Sequence, residues 1–219
     1  MSLPYSDYMR TLTQLAEMNR MYAALSKFFP SSGSFCSMVG SASPGEGKTL
    51  TAGGLAAYLA QVEDQPILGI DFNWYQPRLH ECFDIEQNAT VQELRDAQSD
   101  MSLVQPTGIS QLDLLAAPLS DQAFTEESSH GNTLALDILQ QAREAYERII
   151  IDTSSILPMN RNMIDPVTLS LAADGMLLVV QTWNTPREKV KKAKMTVESS
   201  GGKVLGLVVN QCKNPMSNQ

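Results

Sequence analysis

Eight residues, Ala42-Ser43-Pro44-Gly45-Glu46-Gly47-Lys48-Thr49, limit what this chain can fold into more than any other stretch. They fit [AG]-x-x-x-x-G-K-[ST], with Ala42 at a position often taken by glycine. The chemistry accounts for each residue type. Gly45 and Gly47 let the backbone curl so that several N–H groups converge on one anion. Lys48 brings a positive charge to the β- and γ-phosphates, and the Thr49 hydroxyl is a ligand for Mg²⁺. A helix opening at Leu50 adds the positive end of its dipole. So short a pattern recurs by chance, and its context decides. Here a strand-sized apolar run, Phe35–Gly40, precedes it, and the Ala- and Leu-rich Leu50–Gln61 follows with helical character.

The rest of the chain repeats that alternation. Strands are predicted at Ile67–Ile70, ending at Asp71, then at Leu112–Ala116 and at Arg148–Ile151, ending at Asp152. Two more follow at Gly175–Gln181 and Lys203–Asn210. Helices are predicted at Thr133–Glu147 and Pro186–Ser199, the latter with proline in its first turn. Short, fully apolar strands between helices mean an α/β fold: a mostly parallel sheet with helices on both faces. Residues 7–29 read as an N-terminal helix before the first core strand, capped by Asp7. Its apolar stripe is Leu15, Met18, Tyr22, Leu25 and Phe29, and Pro30-Ser31-Ser32-Gly33 ends it. Asp121–Asn132 is the most loop-like tract. With 219 residues and 43% apolar composition, one nucleotide-binding domain over 1–219 is the simplest organisation.

Composition removes several function classes. No run approaches the roughly 20 apolar residues of a membrane span, and the N-terminus carries no secretion signal pattern. Three scattered cysteines, Cys36, Cys82 and Cys212, suit neither a disulfide framework nor a zinc site. A reducing cytoplasm is the expected setting. The net charge of −8 argues against nucleic acid as a partner. The basic cluster Arg187, Lys189, Lys191, Lys192 and Lys194 reads as a solvated helix face, and His80 and His130 lack companions at ligand spacing. Asp71 and Asp152 stand out instead. Carboxyl ends of parallel strands line the ligand crevice, so both are expected beside the phosphates, holding Mg²⁺ directly or through water. Lys48, Asp71 and Asp152 are therefore the candidate catalytic residues. Ser43, Pro44, Gly45, Glu46, Gly47, Lys48, Thr49 and Leu50 are the candidate nucleotide contacts. Thr49, Asp71 and Asp152 are the candidate metal ligands.

From about Glu17 to Asn210 the chain resembles the bacterial tyrosine kinases (BY-kinases) of exopolysaccharide export, relatives of the ParA/MinD ATPases. Ser43–Thr49 matches that family's P-G-E-G-K-[ST] loop, and Ser43 stands where ParA and MinD proteins carry an extra lysine. Gly69-Ile70-Asp71 with Gln76-Pro77-Arg78-Leu79-His80 resembles the second acidic motif and its continuation. Gln105–Ile109, leading to Leu112–Leu115, resembles a mid-domain strand segment, and Ala173-Asp174-Gly175 through Val180 another. Ile149–Thr153 resembles the third motif, and Val204–Asn210 the last strand, whose asparagine lies near the adenine in the family. The resemblance implies ATP or ADP with Mg²⁺. It implies an activator that is a membrane-embedded polysaccharide co-polymerase, on another chain or beyond these residues, and a cytoplasmic placement at the inner face of the membrane through it. It also implies homo-oligomer contacts through Glu17 and Arg20.

Departures qualify that picture. The usual D-x-D-x-R reads Asp71-Phe72-Asn73-Trp74-Tyr75, so an amide replaces a carboxylate and tyrosine replaces arginine. The usual D-T-P-P reads Asp152-Thr153-Ser154-Ser155, which predicts a looser turn. Ala23 replaces the last arginine of the oligomer motif, and the tail 211–219 has no tyrosine to be phosphorylated. Three functions remain open: a nucleotide-binding homologue with weakened phosphotransfer, a working kinase or ATPase acting on a partner's tyrosines, and a ParA/MinD-like positioning ATPase.

Overall fold

The computed structural model describes residues 13–14, 16–97, 101–119, 128–157 and 163–211, except the side chains of 128–130. In chain order the elements are α1 (Ala16–Leu25), β1 (Phe35–Ser41), α2 (Lys48–Val62), β2 (Ile67–Asp71), α3 (Val91–Asp96), β3 (Gln105–Pro106) and β4 (Leu112–Leu115). There follow α4 (Ser128–Ala145), β5 (Arg148–Asp152), α5 (Pro166–Leu169), β6 (Gly175–Gln181), α6 (Arg187–Ser199) and β7 (Val204–Asn210). The strands form one sheet in the order β3-β4-β2-β5-β1-β6-β7, parallel except for β3, which pairs antiparallel with β4. Pro106 in that short outer strand has no N–H to lend a ladder, so an edge suits it.

Side chains alternate between two cores. Cys36, Met38, Leu68, Ile70, Ile149, Ile151, Met176 and Leu178 face one side and pack with Leu134, Ile138 and Leu139 of α4 and with Ala193 and Val197 of α6. Phe35, Val39, Ile67, Ile150, Leu177 and Val179 face the other, against Leu25 of α1 and Leu55 and Leu59 of α2. Both faces of the central strands are therefore dry, as apolar runs without alternation require. On α2 the fully buried Ala52, Ala56 and Ala57 let the helix approach the sheet closely. That fixes where its first turn meets the end of β1.

α1 is fastened by aromatic and ionic contacts. Tyr22 meets Phe29 and Tyr58 at ring separations of 6.3 and 5.8 Å. The Arg148 guanidinium lies 4.3 Å above the Phe29 ring and pairs with Glu63 at 2.9 Å, almost out of solvent. The described part of the N-terminal helix is shorter than the predicted 7–29. A 3-10 turn, Ser26–Phe28, follows it and Phe29 is extended, while Asp7 and Leu15 lie outside the described residues.

Further boundaries differ from expectation: α2 opens at Lys48, two residues before the expected Leu50. α4 begins at Ser128, so 128–132 of the expected loop are helical; residues 121–127 lie outside the described residues. The Asn132 side chain accepts the Asp165 N–H at 2.8 Å, which ties the early turns of α4 to the start of α5. Pro186 caps α6 and does not occupy its first turn.

Candidate functional site

The sheet brings the motif residues to one edge. The loop after β1 turns through Gly45 at φ +78° and Gly47 at φ +94°, left-handed conformations that cost residues with a Cβ. Gly47 is the N-cap of α2, and its carbonyl takes both the N–H and the hydroxyl of Thr51, at 3.0 and 2.9 Å. Glu46 is fully buried, and its Oε2 accepts the Ser43 N–H at 2.9 Å while Oε1 has no partner. The Ser41 hydroxyl donates to the Ser43 carbonyl at 2.7 Å. Pro44 and Gly45 are exposed at the tip, and Ser43, Thr49 and Leu50 are half-buried.

Asp71 and Asp152 sit side by side in register at the ends of β2 and β5, both without solvent exposure. The Thr49 hydroxyl donates to Asp152 Oδ2 at 2.6 Å, and Asp152 Oδ1 has no partner. Lys48 is buried nearby. Burial pulls its ammonium below the ordinary lysine range, and the carboxylates of Asp152 and Glu46 push it back up. Burial raises Asp152 to about 8, reinforced by the charge of Asp71 and opposed by the Thr49 hydrogen bond and by Lys48. Burial raises Asp71 to about 6, opposed by three backbone N–H groups. These come from Asn73 at 2.9 Å onto Oδ1, and from Arg78 and Leu79 at 3.1 and 3.0 Å onto Oδ2. The region is short of positive charge, with one buried ammonium among three buried carboxyl groups.

The departures from the family pattern have definite places. Asn73 donates its side-chain N–H to the Gln76 carbonyl at 2.8 Å and so closes the turn it begins. Trp74 is buried against Phe72 at a ring separation of 6.2 Å and belongs to the core, whereas Tyr75 is about half exposed. The turn after Asp152 is tied down, contrary to the looser turn expected without its prolines. The Thr153 hydroxyl donates to the Val39 carbonyl at 2.9 Å. The N–H groups of Ile156 and Leu157 donate to the Ser41 and Ala42 carbonyls at 2.9 and 3.1 Å. Hydrogen bonds do there what ring constraint would otherwise do.

Sequence reasoning missed two braces. Ser43-x-x-Glu46 has the spacing of a capping box, a signal present in the chain. The bond from Asn210 Nδ2 to the Glu46 carbonyl, 3.0 Å, spans 164 residues and has no local signal. Glu17 and Arg20 are exposed on α1 and line an apolar groove of about 330 Å³ with Leu207 and Val208 of β7. Cys36 and Cys82 are buried free thiols, both pushed upward by desolvation, Cys36 to about 12, while Cys212 lies outside the described residues. Among the described residues no three His, Cys, Asp or Glu groups could hold a metal by themselves. A hydroxyl and a carboxylate oxygen with a spare lone pair suit a hard cation that takes its other ligands from water and phosphate, as Mg²⁺ does.

A parallel sheet with a glycine-turned loop running from its central strand into a helix defines a P-loop nucleotide-binding fold. The MinD protein of Pyrococcus horikoshii, solved with Mg-ADP, is similar over 81% of this chain and 70% of its own, with a TM-score of 0.65 at 16% identity. The kinase domain of VpsO is similar over 94% of this chain and 97% of its own, with a TM-score of 0.74 at 25% identity. Tyrosine-protein kinase YwqD of Bacillus subtilis is 31% identical over 175 residues, 79% of this chain and 70% of that protein. No family model matches. The chain belongs to the bacterial tyrosine kinase family, as a divergent member, and shares its fold with MinD.

Proposed function

We propose that this protein binds ATP or ADP with Mg²⁺ in the loop Ala42–Thr49 and serves an exopolysaccharide or capsule assembly or export system, with weakened phosphotransfer. One observation carries the reading. The Thr49 hydroxyl and Asp152 meet at 2.6 Å with Lys48 buried beside them and Asp152 Oδ1 unpartnered. A hydroxyl–carboxylate pair next to an ammonium, with an unfilled oxygen, matches what a metal-bound triphosphate needs.

In this reading the backbone from Ser43 to Leu50 cradles the phosphates, and Lys48 neutralises the β- and γ-oxygens. Thr49 and Asp152 hold the metal, directly or through water, and Asn210 lies at the nucleotide's edge. When bound, Mg²⁺ screens the charge that phosphoryl transfer develops on phosphate oxygens. Binding also relieves the protein. A cation beside Asp152 replaces the proton that burial, reinforced by the charge of Asp71, otherwise favours. Asp71 has two roles open to it. Its hydrogen bonds suit an anchor for residues 73–79, and its remaining lone pair suits a base accepting an acceptor's proton.

Weakened transfer follows from Asn73, which has no charge to offer beside the phosphates, and from Tyr75, which points a phenol outward where the family places an arginine. A second reading, an active kinase or ATPase working on tyrosines of another protein, is favoured by the completeness of Lys48, Thr49 and Asp152. Among the described residues no helix is long and apolar enough to cross a membrane. We place the protein in the cytoplasm, held at the inner face of the membrane by a membrane-embedded co-polymerase. The exposed Glu17 and Arg20 are the candidate contacts for self-assembly.

Titration calorimetry with ATP and ADP, with and without Mg²⁺, tests the binding. Affinity should fall by about 30-fold or more in Lys48→Ala, since hydrogen bonds to charged groups are worth about 1.5–3 kcal/mol each. No binding by the unaltered chain would remove the proposal. Labelled ATP with a tyrosine-rich acceptor then separates the readings. Labelled acceptor restores the kinase, phosphate release without it points to an ATPase, and binding without turnover supports the regulatory role.

A further inference from the structure

We infer that Asn210, at the end of β7, is a positioning residue that aims the phosphate loop, with a role in binding the phosphates that does not depend on the base. This rests on the nucleotide-binding reading above and adds a residue to it.

The geometry is that of a strut. Asn210 Nδ2 donates to the Glu46 carbonyl at 3.0 Å. The backbone of Asn210 is itself held, because it pairs with Gln181 on β6 and its carbonyl accepts the Thr182 N–H at 3.4 Å. The amide also fills the space beside Gly47, where a Cβ would collide with Asn210 Nδ2. Glu46 and Gly47 share one planar trans peptide, in which C=O and N–H point in opposite directions. Fixing the Glu46 carbonyl toward β7 therefore turns the Gly47 N–H to the opposite face, where phosphate binding requires a donor. Gly47 is free to rotate otherwise, since glycine occupies left-handed and right-handed regions about equally.

The loop's other braces are local, Glu46 onto Ser43, Ser41 onto Ser43 and Thr51 onto Gly47, or come from the β5 side, Asp152 onto Thr49 and Leu157 onto Ala42. Asn210 is the brace that reaches the loop from the far side of the sheet. Without it the Glu46–Gly47 peptide can flip, and part of the binding free energy goes to ordering it again. A contact to the base alone predicts something different, because it matters only for ligands that have a base.

The discriminating probe is inorganic tripolyphosphate with Mg²⁺, set beside ATP and GTP, with calorimetric affinities for the unaltered chain, Asn210→Ala and Asn210→Asp. Asn210→Ala should weaken all three ligands by a similar factor, about tenfold, as expected for one oriented hydrogen bond. Asn210→Asp is nearly isosteric and keeps the edge strand intact. It should weaken all three at least as much, because an acceptor then faces the Glu46 carbonyl and a charge stands near the phosphates. Circular dichroism confirms that each variant is folded, and Asn210→Asp alone decides if the alanine variant is not. Loss confined to ATP, with tripolyphosphate unchanged, would overturn the strut. An unaltered chain that binds none of the ligands would overturn the nucleotide-binding reading itself.

Discussion

Asp71 and Asp152 occupy the same row of the sheet, on adjacent strands, and both are fully buried. Their surroundings differ completely. Asp71 accepts three backbone N–H groups, from Asn73, Arg78 and Leu79, so its carboxylate organises the chain that follows β2. Asp152 accepts the Thr49 hydroxyl on Oδ2, with the Thr153 N–H adding a smaller contribution, and its Oδ1 has no hydrogen-bond partner. Burial raises both; the charge of Asp71 adds to the rise at Asp152, while three amide hydrogens oppose it at Asp71. Two residues that look alike in sequence, an aspartate closing an apolar strand, thus do different work. One holds a loop in place, and the other keeps a lone pair in reserve.

Removing each side chain should separate the roles. Asp71→Ala leaves three amide donors without their acceptor, one of them in a buried contact. A cost of about 2–4 kcal/mol is expected, lowering the melting temperature by about 10 °C. Asp71→Asn should fall between, since the amide oxygen can keep the two donors at Oδ2 while the new NH2 faces the Asn73 N–H. Asp152→Asn should melt within about 3 °C of the unaltered protein, because it removes a carboxyl group that the fold prefers to keep protonated. It should instead abolish the gain in nucleotide affinity that Mg²⁺ gives. Equal losses of stability in Asp71→Ala and Asp152→Asn would end the distinction.

Much of this was legible in the chain. The phosphate loop, the central strands and the two strand-end aspartates follow from local spacing and from apolar runs of strand length. The hidden parts depend on contacts between distant residues. That Asp71 anchors the chain at 73–79 depends on how that loop folds back, and that Asn210 reaches Glu46 depends on strand order. An aromatic residue beside a site motif, as Trp74 is, has no local signal for its place, and only packing against Phe72 decides. α3 was overlooked although its signal is present. Thr90 and Glu93 form a reciprocal capping box, and the helix is merely too short to show a period. The turn at Thr153–Leu157 illustrates the converse. Missing prolines suggested slack, while the N–H groups of Ile156 and Leu157 tie it to the end of β1.

Acidity gives a milder test of the same pair. Asp152 is raised in the fold from the ordinary carboxylate range near 4 to about 8. Below about pH 4 it is protonated whether folded or unfolded, and its favourable neutral burial is fully present. As pH rises toward about 8, the unfolded chain releases the proton freely while the fold resists, so stability falls across that window. Without ligand, the melting temperature should decline by several degrees between pH 5.5 and 8, and Asp152→Asn should flatten the slope. Mg-ADP should also flatten it, and binding near pH 7 should release a proton, seen as a calorimetric heat that varies with the buffer's ionisation enthalpy. A slope unaffected by Asp152→Asn would assign the titration to another group.

The smallest expected effect bears on how the Asp71 side has drifted from its family pattern. Asn73 uses its side-chain N–H to close a turn on the Gln76 carbonyl, a bond an aspartate cannot donate. Asn73→Asp therefore loses one partly exposed hydrogen bond, about 0.5–1 kcal/mol, or about 2–3 °C of melting temperature. The same change restores the second carboxylate of the family's D-x-D pattern. If the asparagine traded transfer for a better-closed turn, the variant should melt slightly lower and label a tyrosine-rich acceptor faster than the unaltered chain. A lower melting temperature with no gain in labelling would put the deficit on Tyr75 instead. Tyr75→Arg, at an exposed position where substitution should leave the fold within about 0.5 kcal/mol, then becomes the decisive variant.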